Sequence, residues 1–154
     1  MLLIKFFLYS TETLIFQREH IAAYHLAAQN GLKRTVHVGF FAPDGATNVV
    51  KALHILNPER IGHGYRIFED DPLYRDLIKL GVHFEGSPST ANSFATGIKN
   101  PIVRYINDGA SCSASSDFPT ATKSTLTAEY KILAEAGLTL KQMQQLVRKK
   151  LFTK

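Results

Sequence analysis

The chain has 154 residues, 45% hydrophobic and 20% charged, with a formal net charge of +5. That length supports one ordinary domain with a real core, and the composition excludes a disordered chain. The charge does not make a nucleic-acid face, because apart from Arg148-Lys149-Lys150 the basic residues are spread along the chain.

The first stretch, Met1 to Tyr9, is apolar but short and broken by Lys5, and no cleavage site follows it. It reads as a first strand (Leu2 to Leu8) or a buried start rather than as a leader. No apolar run approaches the ~20 residues that a membrane span needs. Ser10 to Thr13 reads as a turn, and Arg18 to Asn30 as a helix stopped at Asn30-Gly31. Arg34 to Val38 is a β-branched strand that ends at His37. Pro43-Asp44 opens a helix with Asp44 as its expected N-cap; Val49, Val50, Leu53 and Leu56 recur at helical spacing, and Asn57-Pro58 closes it.

Arg60 to Gly62 is the next strand and ends at His63. Asp70-Asp71-Pro72 opens a helix with the stripe Leu73, Leu77, Ile78 and Leu80, stopped by Gly81. Val82 to Glu85 is a strand ending at Gly86-Ser87-Pro88, and Pro101 to Asn107 is a short helix. Ala110 to Ser115 is a small-residue strand leading to Asp117. Helices follow over Ser124 to Ala136, capped by Gly137, and over Thr139 to Leu151. Strand then helix, four times over at a spacing of roughly 25 residues, is the pattern of βα units on a parallel sheet. No repeat or linker interrupts it. A single cysteine, Cys112, excludes an internal disulfide and fits a reducing, cytoplasmic setting.

His37, His63 and Asp117 each stand where a predicted strand ends, the rim on which α/β enzymes keep their chemistry. Imidazole and carboxylate are good ligands for a divalent zinc-like ion, and a further imidazole beside a metal-bound water serves as a base. A histidine after a strand is equally a satisfied structural residue, and spacing alone does not choose between the two.

Three segments, Thr35-Val36-His37-Val38-Gly39, Arg60-Ile61-Gly62-His63-Gly64-Tyr65 and Ser116-Asp117-Phe118-Pro119 followed by Lys123-Ser124-Thr125-Leu126, resemble the adenosine deaminase family in order and distance. Glu19-His20-Ile21-Ala22-Ala23-Tyr24, Phe84-Glu85-Gly86-Ser87-Pro88 and Thr96-Gly97 fit as well, so the resemblance runs from about Glu19 to about Met143. It implies a (β/α)8 barrel with a catalytic zinc, a hydrolase that converts adenosine to inosine and ammonia in purine metabolism. It further implies that His37 and Asp117 are zinc ligands and that His63 orients and deprotonates the attacking water. Gly62 and Gly64 match the turn that presents His63, and Glu85 matches a structural glutamate.

Three departures qualify what the resemblance implies. The family's proton-donor glutamate is here Phe40, its second aspartate at the last strand is Phe118, and its His-x-His pair of zinc ligands is absent. A barrel of this type takes ~250 residues. The expected fold is therefore α/β, the C-terminal half of a (β/α)8 barrel, with residues 1–18 a divergent segment and 19–154 the half-barrel. The expected function is that of a truncated relative of a zinc-dependent adenosine deaminase that is inactive as written and binds zinc weakly or not at all. The alternative is a non-catalytic remnant that holds a purine nucleoside or a partner chain. Open sheet edges predict self-association; no nucleic-acid or membrane partner is expected. An independent flavodoxin-like domain ranks last, since no phosphate-binding glycine loop follows the first strand.

Overall fold

The computed structural model describes residues 5–8, 16–94 and 100–148. The chain divides into two compact units, Met1–Leu77 and Ile78–Lys154. The first carries β1 (Lys5–Leu8), α1 (Arg18–Gln29), β2 (Lys33–Val38), α2 (Gly45–Leu56), β3 (Arg60–His63) and a 3-10 helix over Tyr65–Glu69. The chain passes from the first unit to the second within α3 (Asp71–Lys79). The second unit holds β4 (His83–Gly86), α4 (Pro88–Phe94), α5 (Pro101–Asn107), β5 (Ser111–Ala114), α6 (Pro119–Thr122), α7 (Leu126–Glu135) and α8 (Leu140–Arg148). Among the described residues no helix is long and apolar enough to cross a membrane.

The first unit is built on three parallel strands. Lys5 to Leu8 of β1 pair with Lys33 to Val36 of β2, and Thr35 to Val38 of β2 pair with Arg60 to His63 of β3. The four strands expected at the rim are present, and β1 lies within the stretch Leu2 to Leu8 that reads as a first strand or a buried start. Val36 and Ile61 bury completely, as do Val49, Ala52 and Leu56 of α2, so α2 lays its apolar stripe on the unit's core. The buried Tyr24 hydroxyl of α1 donates to the Thr35 carbonyl oxygen at 2.7 Å, fastening α1 to β2.

In the second unit β4 and β5 pair in parallel, from His83↔Ser111 to Gly86↔Ala114. Alternation along these strands buries Phe84 and Cys112 and leaves His83, Glu85, Ser111 and Ser113 half-buried on the opposite face. There the His83 ring bridges two hydroxyls, with Nδ1 2.9 Å from Ser111 Oγ and Nε2 3.0 Å from Ser113 Oγ.

Several local readings differ from the sequence expectation. Asp44 does precede α2, but in a left-handed conformation (φ 58°), and its side chain makes no cap bond. Pro88 starts α4 instead of ending a loop, its fixed φ suiting a first helical turn. The helix expected from Ser124 begins at Leu126, because Thr125 takes the cap position and its Oγ1 accepts from the Ala128 N–H at 3.2 Å. The expected turn Ser10 to Thr13, the Thr96-Gly97 pair and the end of the last helix beyond residue 148 lie outside the described residues.

An ion pair ties the start of β2 to the residue before β3. Arg34 donates Nε and Nη2 to the Glu59 carboxylate at 3.3 and 3.1 Å, and its backbone N–H at 2.7 Å; the Glu59 N–H returns to the Arg34 carbonyl oxygen at 3.0 Å. Burial pushes the Glu59 carboxyl up, but the hydrogen bonds and charge of Arg34 outweigh it and hold the pKa below the ordinary 4.5. This contribution to stability is present above pH 4.5 and is lost as pH falls through the folded-state value. Glu59→Gln should therefore lower unfolding stability by ~1–2 kcal/mol at neutral pH, with the deficit closing in acid. Urea midpoints for the two chains at about pH 7 and about pH 3 check this; coincident midpoints at neutral pH would show that the ion pair holds nothing.

Candidate functional site

The candidate site of the first unit forms where β2 and β3 end together. In the parallel register His37 lies opposite Gly62, and Val38 lies opposite His63. Gly62 is close to the β2 backbone: a Cβ there would stand 3.2 Å from the Val36 carbonyl oxygen and 3.4 Å from the His37 Cα. Beyond the strands the chain turns twice through left-handed backbone, at Gly39 (φ 70°) and at His63-Gly64 (φ 66° and 70°). A Cβ on Gly39 would strike Val49 Cγ2 at 2.6 Å, so only glycine lets the two turns and α2 approach this closely. The Gly64 N–H donates to the Val38 carbonyl oxygen at 2.9 Å and the Arg66 N–H to that of Gly39 at 2.8 Å, locking one turn on the other.

His63 is the revealing position. A non-glycine residue with positive φ costs ~1–3 kcal/mol and persists only where the surroundings over-determine it. Here the left-handed turn swings the imidazole into a group of rings. The His37 and His63 centroids are 4.5 Å apart with planes at 77°. Phe40 stacks on His63 at 4.5 Å and 29°, and Tyr65 meets the imidazole edge-on at 5.3 Å. His37, Phe40 and His63 are each no more than 5% exposed. Burial, and after it the charge of His37, pushes the His63 pKa from its ordinary 6.5 down to about 3.

Asp117 stands in the second unit, just beyond the C-terminal end of β5, and it too has positive φ (55°). Its approach is fixed by the Ser115 N–H on the Gly86 carbonyl oxygen at 2.8 Å and by the Ser87 hydroxyl on the Ser115 carbonyl oxygen at 3.1 Å. Phe118, the residue after it, is 43% exposed. Each candidate residue thus lies at or just after the C-terminal end of its own strand, and His37 and His63 are brought into contact. Among the described residues, however, no group of three or more His, Cys, Asp or Glu side chains is placed to hold a metal ion. A catalytic zinc takes three protein ligands and one open position, so the described residues do not fit such a centre.

Sequence reasoning passed over two features. Phe40 reads there as a missing acid, whereas in the structure it is the ring against which His63 packs. Glu129 of α7, fully buried, accepts from the Ser89 N–H at 2.8 Å, the Ser89 hydroxyl at 2.6 Å and the Ser124 hydroxyl. It thereby pins the start of α4 and the segment before α7. The signal for it was available: Glu129 shares an inward face, four residues apart, with Leu133.

Parallel strands with intervening helices, and histidines at strand C-termini, define the chain as α/β, of the (β/α)8-barrel type. The family model for adenosine deaminase matches residues 8–151, and the chain belongs to the adenosine deaminase family. It is 40% identical to the adenosine deaminase of Mus musculus over 134 residues, which cover 82% of this chain and 37% of the mouse protein. The adenine deaminase of Arthrobacter aurescens has the same fold at a TM-score of 0.83 and 23% identity, over 96% of this chain and 47% of that one. An amidohydrolase from Burkhoderia ambifaria, solved with bound zinc, matches at a TM-score of 0.72 and 24% identity, over 82% of this chain and 36% of its own. The chain thus corresponds to the C-terminal half of the barrel and spans little more than a third of the length of the curated relatives it matches.

A folded-state pKa of about 3 for His63, against 6.5 unfolded, makes the neutral imidazole part of the fold. The stability it contributes is complete above pH 6.5 and declines as pH falls toward about 3, by up to ~1.4 kcal/mol per pH unit. Asparagine tolerates left-handed backbone and does not titrate. Urea unfolding of the His63→Asn variant should therefore lose less stability than the wild type between about pH 7 and about pH 4.5. Parallel declines would contradict a buried neutral His63.

Proposed function

We propose that this chain carries the rim of a purine deaminase without its catalysis: it descends from enzymes that hydrolyse adenosine to inosine and ammonia, and does not itself turn over adenosine. The observation that carries this reading is Phe40 stacked on His63, at the position where the resemblance places the proton-donating glutamate. Water attack on the purine ring carbon needs a proton delivered to the neighbouring ring nitrogen, and a benzyl side chain has none to give. Loss of a general acid typically costs ~10²–10⁴ in rate. His63, the residue matched to the base that handles the attacking water, is enclosed by rings instead of facing a solvated cleft. The zinc-bound amidohydrolase supports a metal in the wider fold, but the described residues of this chain hold no group of three or more His, Cys, Asp or Glu placed for one.

A second reading, binding without chemistry, is favoured by Phe41 and Phe118, exposed at 54% and 43%. Phe118 follows the candidate residue Asp117 and Phe41 follows Phe40, and an exposed aromatic ring is a surface on which a purine base stacks. Under either reading, purified chain incubated with adenosine should give no absorbance change toward inosine above background, with added zinc or without, and Asp117→Ala should look the same. Turnover that Asp117→Ala abolishes would overturn the proposal. Phe40→Glu alone should not create activity, because an acid without a three-ligand metal centre supplies only one part of the machinery.

A further inference from the structure

In the second unit β4 and β5 divide their side chains between two faces. Phe84 stacks on Tyr105 of α5 with centroids 4.6 Å apart and planes at 14°, and Cys112, opposite Phe84 in the register, is buried with it. His83, Glu85, Ser111 and Ser113 take the other face and stay half-buried, open to a small molecule. The register sets His83 opposite Ser111 and Glu85 opposite Ser113, so the four polar groups form one patch. Within it His83 Nδ1 lies 2.9 Å from Ser111 Oγ and Nε2 lies 3.0 Å from Ser113 Oγ.

A neutral imidazole has one N–H and one lone pair. To serve two hydroxyls it donates at one nitrogen and accepts at the other. One serine then has its O–H on a basic nitrogen, and the other holds the ring by accepting its N–H. A hydroxyl on a base that a third group orients is the arrangement that activates a weak nucleophile. The patch stands apart from the strand-end rim, and the function proposed above makes no use of it.

We propose that Ser111 is a nucleophile, with His83 as its general base and Ser113 as the anchor of the ring, in a site that takes small activated esters and is acylated at Ser111. In that step Ser111 Oγ forms a bond to the carbonyl carbon while its proton passes to His83 Nδ1. The Nε2–H stays on Ser113 Oγ, and the Glu85 carboxylate on the same face attracts the imidazolium that results. Collapse of the tetrahedral intermediate breaks the bond to the leaving oxygen of a phenyl ester, which departs as phenolate and recovers the proton from His83 or from water. The products are acyl-Ser111 and the phenol, and no further reactant is consumed. Activated esters are the class, because a phenolate leaves without a second acid.

Incubation of the full chain with p-nitrophenyl acetate, followed by peptide mapping in a mass spectrometer, tests the proposal. Acetyl should appear on Ser111 at least about tenfold faster than on Ser115, a half-buried serine of the same segment whose hydroxyl donates to the Gly86 carbonyl oxygen at 3.4 Å. His83→Gln should slow acetylation of Ser111 at least about tenfold. Ser113→Ala should slow it severalfold, and Ser113→Thr, which keeps the hydroxyl, should not. Equal rates at Ser111 and Ser115 in the wild type would overturn the proposal, and that comparison holds even where a variant fails to fold. A Ser111 rate that His83→Gln leaves unchanged would overturn it too, as would acetyl confined to lysine side chains.

Discussion

The stack of Phe40 on His63 is the contact on which the rest of the candidate site depends. It needs two chain turns to arrive together, and the parallel register supplies them by setting Val38 opposite His63. It needs His63 in left-handed backbone, a cost that the Gly64 N–H on the Val38 carbonyl oxygen and the surrounding rings offset. It also needs Gly39, because any side chain there would collide with Val49. This backbone sets the His63 imidazole against a phenyl ring.

The chemical consequence follows from what each group offers. A glutamate at position 40 would bring a proton and a charge and would demand solvation or a cation nearby. Phenylalanine brings only surface. Beside it, two imidazoles become large, flat, neutral side chains, and edge-to-face and stacked arrangements are the geometries that aromatic quadrupoles favour. With phenylalanine at position 40 the rings of this rim pack on one another. Glu129 shows the contrasting solution in the second unit: it keeps a buried carboxylate by supplying three donors, from the Ser89 N–H and from the Ser89 and Ser124 hydroxyls.

Much of the fold was legible in the sequence because periodicity and punctuation agreed. α5 begins at Pro101 as expected, and α2 carries the stripe of Val49 and Leu56 that its spacing announces. β2, β3, β4 and β5 fall within one or two residues of their expected bounds. What escaped were elements without an apolar period of their own: the 3-10 helix after Gly64, and the short α4 and α6, each begun by a proline that reads equally well as a loop residue. The site was half legible. That His37 and His63 end neighbouring strands could be read from spacing, and the structure brings their rings into contact. That Phe40 packs on His63 could not, because a sequence shows a missing acid as an absence, while the packing that replaces it depends on turn angles set by Gly39 and Gly64.

The central claim, that Phe40 and His63 act on each other as packed rings, is most directly measured by a double-mutant cycle. Urea unfolding at neutral pH of wild type, Phe40→Ala, His63→Ala and the double variant isolates the pairwise energy, since the backbone strain at position 63 is common to both His63→Ala chains. The account predicts a favourable coupling of ~0.5–1.5 kcal/mol, the range for paired aromatic rings beyond their burial. A coupling near zero, with the two single losses simply adding, would contradict it.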